Sequence, residues 1–275
     1  MLKLWWNSRS IRLTPFRQPT NFKWMLLKCT WPILMVIFFL GGCVSMRANQ
    51  EKAVLLQANG QSLYENQNYS LALKEFLAAE SNDPENASIQ NNLGLTYFMK
   101  ERYQTSIKHF EKAVQLDPKF TDARNNLGRT YTEVGRYHDA EKALTIVLND
   151  LTYPAQERAY INMGLNYFNQ KKFAQAKNNF AKAIDVQPDN CFAHTYYGRS
   201  FFELQNYSAS IEALDKAIEF CQKLLIDEPH YYSALSYYRL GEKQKSITRF
   251  EEVIKLYPNG KYADKSKGML NIIKR

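Results

Sequence analysis

The chain has 275 residues, 36 basic and 27 acidic, for a net charge of +9, with 14% aromatic residues and four cysteines. Six of the basic residues and none of the acidic ones lie in positions 1–42, so the remainder is close to neutral and offers no phosphate-tracking stripe for nucleic acid. Nearly everything beyond position 52 falls into one repeated pattern, which leaves no room for a separate catalytic domain.

Lys3, Arg9, Arg12, Arg17, Lys23 and Lys28 precede an apolar run from Trp31 to Leu40. That run is too short to cross a bilayer. A basic head, a short apolar stretch and small residues behind it have the layout of a secretory leader. Leu40, Gly41, Gly42 and Cys43 resemble the bacterial lipobox, in which the cysteine thiol is acylated and the chain is cut in front of it. The expectation is a lipoprotein signal peptide over 1–42, acyl chains on Cys43 and a lipid-anchored linker over 43–52. A plain signal peptide and an uncleaved anchor are the alternatives, and Met25 stands beside Met1 as a start. In the lipoproteins this resembles, aspartate after the cysteine retains the protein at the inner membrane. Val44 in that place implies the outer membrane, periplasmic face.

From Ala53 onward, like residues recur every 34 positions, in units 53–86, 87–120, 121–156, 157–190, 191–226 and 227–260, with two extra residues in the third and the fifth. Column 8 of the unit is Gly60, Gly94, Gly128, Gly164, Gly198 and Ala234; column 20 is Ala or Ser; column 24 is Phe76, Phe110, Leu144, Phe180, Leu214 and Phe250. Small side chains at columns 8 and 20 let two antiparallel helices approach, and the large ones at column 24 fill the gap. Pro84, Pro118, Pro188 and Pro258 at column 32 end the second helix, since a proline clashes with a continuing turn and pushes the residue before it out of the helical region. The period is that of the tetratricopeptide repeat, and the chain resembles that family. The resemblance implies an all-α, right-handed superhelical solenoid of six helical hairpins, helix A then helix B, with 261–275 as a C-terminal capping helix that keeps the register through Gly268.

Cys191 and Cys221 occupy columns 1 and 31 of the fifth unit, the start of helix A and the end of helix B, which share one end of an antiparallel hairpin. We expect a disulfide in an oxidising compartment, with two buried thiols as the plain alternative. A Cys2His2 metal site with His194 and His230 is a third reading, disfavoured because neighbouring repeats set equivalent residues about 10 Å apart. No metal and no cofactor are therefore expected. Nor does the chain carry a cooperating serine, histidine and acid set, a Gly-rich phosphate loop or an HExxH motif, so no catalytic residue is expected.

Columns 2, 5, 6, 9, 12 and 13 share one face of helix A. Column 6 reads Asn92, Asn126 and Asn162, then Tyr196 and Tyr232. An amide donates to and accepts from a peptide backbone at once, and three in succession resemble the asparagine ladder of the O-linked N-acetylglucosamine transferase superhelix, which holds extended polypeptide. The plain alternative is a solvated asparagine that the repeat commonly uses. Beside it lie Arg129 and Arg199 at column 9 and Phe98, Phe168, Phe202 and Tyr238 at column 12. Aromatics with arginines are typical of binding hot spots, unless part of the stripe packs between repeats.

Six repeats behind a lipobox at Cys43, with a disulfide within the solenoid, are similar to the type IV pilus pilotin lipoproteins, the PilF, PilW and Tgl group. That resemblance implies a membrane-tethered scaffold whose protein partner is an outer-membrane secretin, which it helps to reach the membrane and assemble. A general envelope adaptor that recruits peptidoglycan enzymes or another periplasmic complex is the other reading.

Overall fold

The computed structural model describes residues 46–275. The leader over 1–42, Cys43 and Val44 lie outside the described residues. Two compact units divide the chain, Met1–Lys52 and Ala53–Arg275. In the first, residues 46–52 are helical and exposed, with Arg47 and Glu51 paired at 3.3 Å.

The second unit is a succession of helical hairpins. Its A helices are α1 (helical over 53–65), α3 (Ala87–Met99), α5 (Thr121–Glu133), α7 (Gln156–Asn169), α9 (Cys191–Glu203) and α11 (Glu228–Arg239). The B helices are α2 (Tyr69–Asn82), α4 (Tyr103–Leu116), α6 (Tyr137–Leu148), α8 (Phe173–Val186), α10 (Tyr207–Cys221) and α12 (Lys243–Leu256), and α13 (Ala263–Ile273) closes the stack. Helices α2, α4, α8 and α12 each stop two residues short of a proline.

Within a hairpin the two helices touch where the glycine column meets the phenylalanine column. A Cβ placed on Gly94 would lie 2.6 Å from the Phe110 ring, and one on Gly164 would lie 2.6 Å from Phe180. Phe76, Phe110, Phe180 and Phe250 are fully buried in consequence. Where column 20 is serine, its hydroxyl donates to the column 8 carbonyl: Ser106 to Gly94 at 2.7 Å, Ser210 to Gly198 at 2.9 Å and Ser246 to Ala234 at 2.9 Å. A hydrogen bond thus replaces the plain contact that alanine makes.

The turn from helix A to helix B needs one left-handed residue, and it falls on column 15 throughout: Gln67, Glu101, Gly135, Lys171, Gln205 and Gly241 all have φ between 58° and 79°. Its N–H and the next one bond back to the last turn of helix A, as in Lys171 to Phe168 and Lys172 to Tyr167, each at 2.9 Å. These bonds satisfy carbonyls that a helix end leaves free. Glycine is present at only two of the six, so four turns carry a strained side chain.

Each B helix packs on the A helix of its own repeat and on that of the next, and successive A helices pack on one another from α3 to α11. The A helices therefore form the inner face of the stack. Gly268 lies in α13, and a Cβ placed on it would meet no atom within 4 Å. Helix α13 is held by Tyr262, whose N–H donates to Asp227 Oδ2 at 2.7 Å and whose hydroxyl donates to Glu228 Oε1 at 2.9 Å. Ala263, Ser266, Leu270 and Ile273 are its buried face.

A disulfide joins Cys191 to Cys221, with Cα atoms 5.1 Å apart. The start of α9 and the end of α10 do meet, and both sulfurs are consumed, so the Cys2His2 alternative fails. His194 instead sets Nε2 2.8 Å from the Pro188 carbonyl, and His230 sets Nδ1 3.3 Å from Glu252.

Candidate functional site

The inner face has two regions of different chemistry. Over α3, α5 and α7 it is an amide surface. Asn126 Nδ2 donates to Asn91 Oδ1 at 3.0 Å, and Asn162 Nδ2 donates to Asn125 Oδ1 at 3.0 Å. Column 6 of one repeat is thereby stapled to column 5 of the repeat before it. Asn91 and Asn125, 7% and 4% exposed, are the acceptors; sequence reasoning missed them, although the doublets Asn91-Asn92 and Asn125-Asn126 carry the signal. The staple stops at α7 because column 5 there is Ile161, which accepts nothing.

An amide has two donor hydrogens and a carbonyl oxygen, so Asn126 keeps one N–H and its oxygen for a ligand. Asn162 is 8% exposed and keeps little room to use its own. Asn92 is half-buried. Arg129, exposed, lies over the Phe98 ring with its guanidinium carbon 4.4 Å from the centroid. The face that a partner can reach in this region is therefore Asn92, Asn126 and Arg129 on a floor that includes Phe98.

The rings of column 12 also pack within their own hairpins. Phe98 meets Tyr103 edge-on with centroids 5.3 Å apart, Phe168 meets Phe173 at 5.2 Å and Phe202 meets Tyr207 at 5.6 Å, each across the turn of its own hairpin. Tyr64 and Tyr69 repeat the arrangement at 5.4 Å. These rings brace column 12 against column 17, a contact worth about 0.5–1.5 kcal/mol beyond area burial. Tyr238 escapes because column 17 of its repeat is Lys243, and it is left 39% exposed.

Over α9, α11 and the start of α13 the inner face is closed. Arg199 pairs with Glu228 at 2.8 Å, the two side chains being 14% and 15% exposed. Its guanidinium carbon lies 4.7 Å from the Phe168 centroid, 4.8 Å from Tyr196 and 4.6 Å from Tyr232. Phe202 and Tyr232 meet edge-on at 5.5 Å. Burial and the carboxylate of Glu228 push the Tyr262 hydroxyl pKa far up, so it stays a proton donor. Arg199 thus locks α9 to α11, with Tyr232 packed on it and, in turn, on Tyr262 at 5.9 Å. Tyr196 is half-buried, with Phe192 stacked on it at 5.0 Å.

Family models described as tetratricopeptide repeat match residues 58–119 and 161–223, residues 97–155, and residues 230–260. No curated protein matches the chain. Among solved structures, PilF of Pseudomonas aeruginosa superposes with a TM-score of 0.68 at 18% identity, over 81% of this chain and 99% of that one. PilW, a widely conserved type IV pilus biogenesis factor, gives 0.72 at 17% identity over 78% and 97%. A chain of the APC/C hetero-tetramer Cut9-Hcn1 gives 0.71 at 19% identity over 82% and 43%. Likeness at these identities is likeness of fold. With the hairpin geometry in place and the models matching most of the chain from residue 58 to residue 260, this chain belongs to the tetratricopeptide-repeat family.

Proposed function

We propose that this protein is a scaffold, lipid-anchored through Cys43 at the periplasmic face of the outer membrane, which grips a segment of a protein partner along α3 and α5. The observation that carries the grip is the open amide surface, where Asn92, Asn126 and Arg129 stand unsealed while Arg199, at the register position of Arg129, is enclosed by rings and paired with Glu228. An extended peptide offers alternating N–H and C=O groups, which amides at one-repeat spacing suit. The partner we assign is the secretin of a type IV pilus, the protein acting as its pilotin. In support, the sequence places a lipobox ahead of six repeats, and PilF and PilW resemble the solenoid over nearly their whole length.

Two experiments test the parts separately. Deletion of the gene should abolish secretin multimers and twitching; normal multimers without the protein would rule out the pilotin role and leave an envelope adaptor. Asn92→Ala with Arg129→Glu, which touches no inter-repeat staple, should lose the partner in a membrane pull-down while the chain stays folded. Retained binding in that variant would move the grip elsewhere.

A further inference from the structure

The two units longer than 34 residues spend their extra residues between helix B and the next helix A, and both connections have the same build. In residues 149–155, Tyr153 turns inward, 5% exposed, and its hydroxyl donates to Asp122 at 2.9 Å, while Leu151 close by is 86% exposed. In residues 222–227, Ile226 packs on the disulfide of Cys191 and Cys221, while Leu224 and Leu225 are 62% and 75% exposed. Leu225 has φ 51°, a left-handed backbone that turns it outward. Leaving leucine in water forfeits about 1.5–3 kcal/mol of burial for each side chain.

These leucines share an edge. In antiparallel hairpins the ends of all B helices and the starts of all A helices lie together, so Val186 and Leu256, the last residues of α8 and α12, stand at the same edge. At the opposite edge Met99, Leu204, Leu240 and Leu71 are 41%, 42%, 41% and 54% exposed, all below Leu151, Leu224 and Leu225. The second unit begins at Ala53, which is column 1 of the first repeat. The chain therefore enters this unit at the leucine-bearing edge, and Cys43 lies ten residues before that point, with 46–52 helical, a reach of at most about 20 Å.

We propose that the edge carrying Leu151, Leu224 and Leu225 is a second membrane contact, seated in the headgroup and acyl boundary of the bilayer that holds Cys43. The inference rests on the lipid-anchor reading given above. A tether alone leaves the solenoid free to swivel; apolar side chains on the entry edge fix which way the inner face opens. The chemistry fits lipid: Lys223 supplies a cation beside two leucines, suited to a lipid phosphate. Because the contact is apolar, it should persist in high salt, where exposed charge pairs are screened.

All four tryptophans, Trp5, Trp6, Trp24 and Trp31, lie within 1–42, so an introduced one reports alone once the leader is removed. The full chain, expressed with its leader, is reconstituted in vesicles of phosphatidylethanolamine and phosphatidylglycerol as Leu225→Trp, Leu151→Trp and, for the opposite edge, Leu204→Trp. The expected result is a blue shift and loss of emission with acyl-brominated lipid at 225 and 151, and neither at 204. Vesicle flotation with unquenched emission at 225 and 151 would overturn the edge contact while leaving the anchor. A blue shift that appears without lipid and grows with protein concentration would assign the edge to a second copy instead. Loss of flotation would overturn the anchor and the edge contact together.

Discussion

The inner face over α3 to α7 and the inner face over α9 to α13 are built from the same repeat columns, yet one is open and the other is shut. In the first, column 6 is asparagine and column 9 places Arg129 on the surface; in the second, column 6 is tyrosine and column 9 places Arg199 inside three rings against Glu228. Arg129 and Arg199 hold the same register position two repeats apart. What separates them is the next repeat: column 2 of α11 is Glu228, which pairs with Arg199, whereas column 2 of α7 is Arg158. A repeat position has no role of its own until the adjacent repeat is named.

The largest expected effect lies in the closed half. Glu228→Ala strands the Arg199 charge against aromatic faces and removes the acceptor of Tyr262, and should cost about 3 kcal/mol, read as a lower urea midpoint with early exchange of α13 amides. Wild-type behaviour would reduce the lock to an incidental contact. Next comes the hairpin seam common to both halves: Gly94→Ala drives a methyl into the Phe110 ring and should cost about 1–3 kcal/mol, whereas the sixth repeat already carries Ala234 opposite Phe250.

In the open half the staple and the surface should separate cleanly. Asn125→Ala removes the acceptor of a nearly buried amide and should cost about 1–2 kcal/mol, while Asn92→Ala should stay within about 0.5 kcal/mol by urea denaturation. Equal costs would mean that the open amides are part of the scaffold. In the opposite direction, Lys171→Gly relieves a side chain at φ 59° and should raise stability by about 1 kcal/mol, less what glycine loses in the unfolded chain.

The smallest effect is set by pH. Burial holds His109, His194 and His230 below the ordinary value of 6.5, so the unfolded chain takes up protons more readily than the folded one. Stability is complete above pH 6.5 and declines as the pH falls through the lower folded values. Two of the three histidines lie in the closed half, so hydrogen exchange at pH 5.5 should speed up first in α9 and α11; uniform acceleration along the solenoid would break that assignment.

Columns 8, 20 and 24 were legible in the sequence because they report contacts within one hairpin, at a spacing that recurs. The meeting of Cys191 with Cys221 was legible for the same reason. The left-handed position at column 15 was not, since lysine, glutamine and glutamate hold it in four repeats and glycine in two, and backbone bonds to the end of helix A enforce it whatever the side chain. The ring pairs of columns 12 and 17 were not legible either, since their contact needs the turn between them to be drawn.

The linear order of residues by itself determined that this chain is a stack of helical hairpins, because the period and the small and large columns are local packing requirements repeated along the chain. Only the tertiary structure decided which groups on the inner face remain open. An amide or a guanidinium is free or consumed according to what the adjacent repeat sets within about 3 Å of it, and that distance depends on how the hairpins stack.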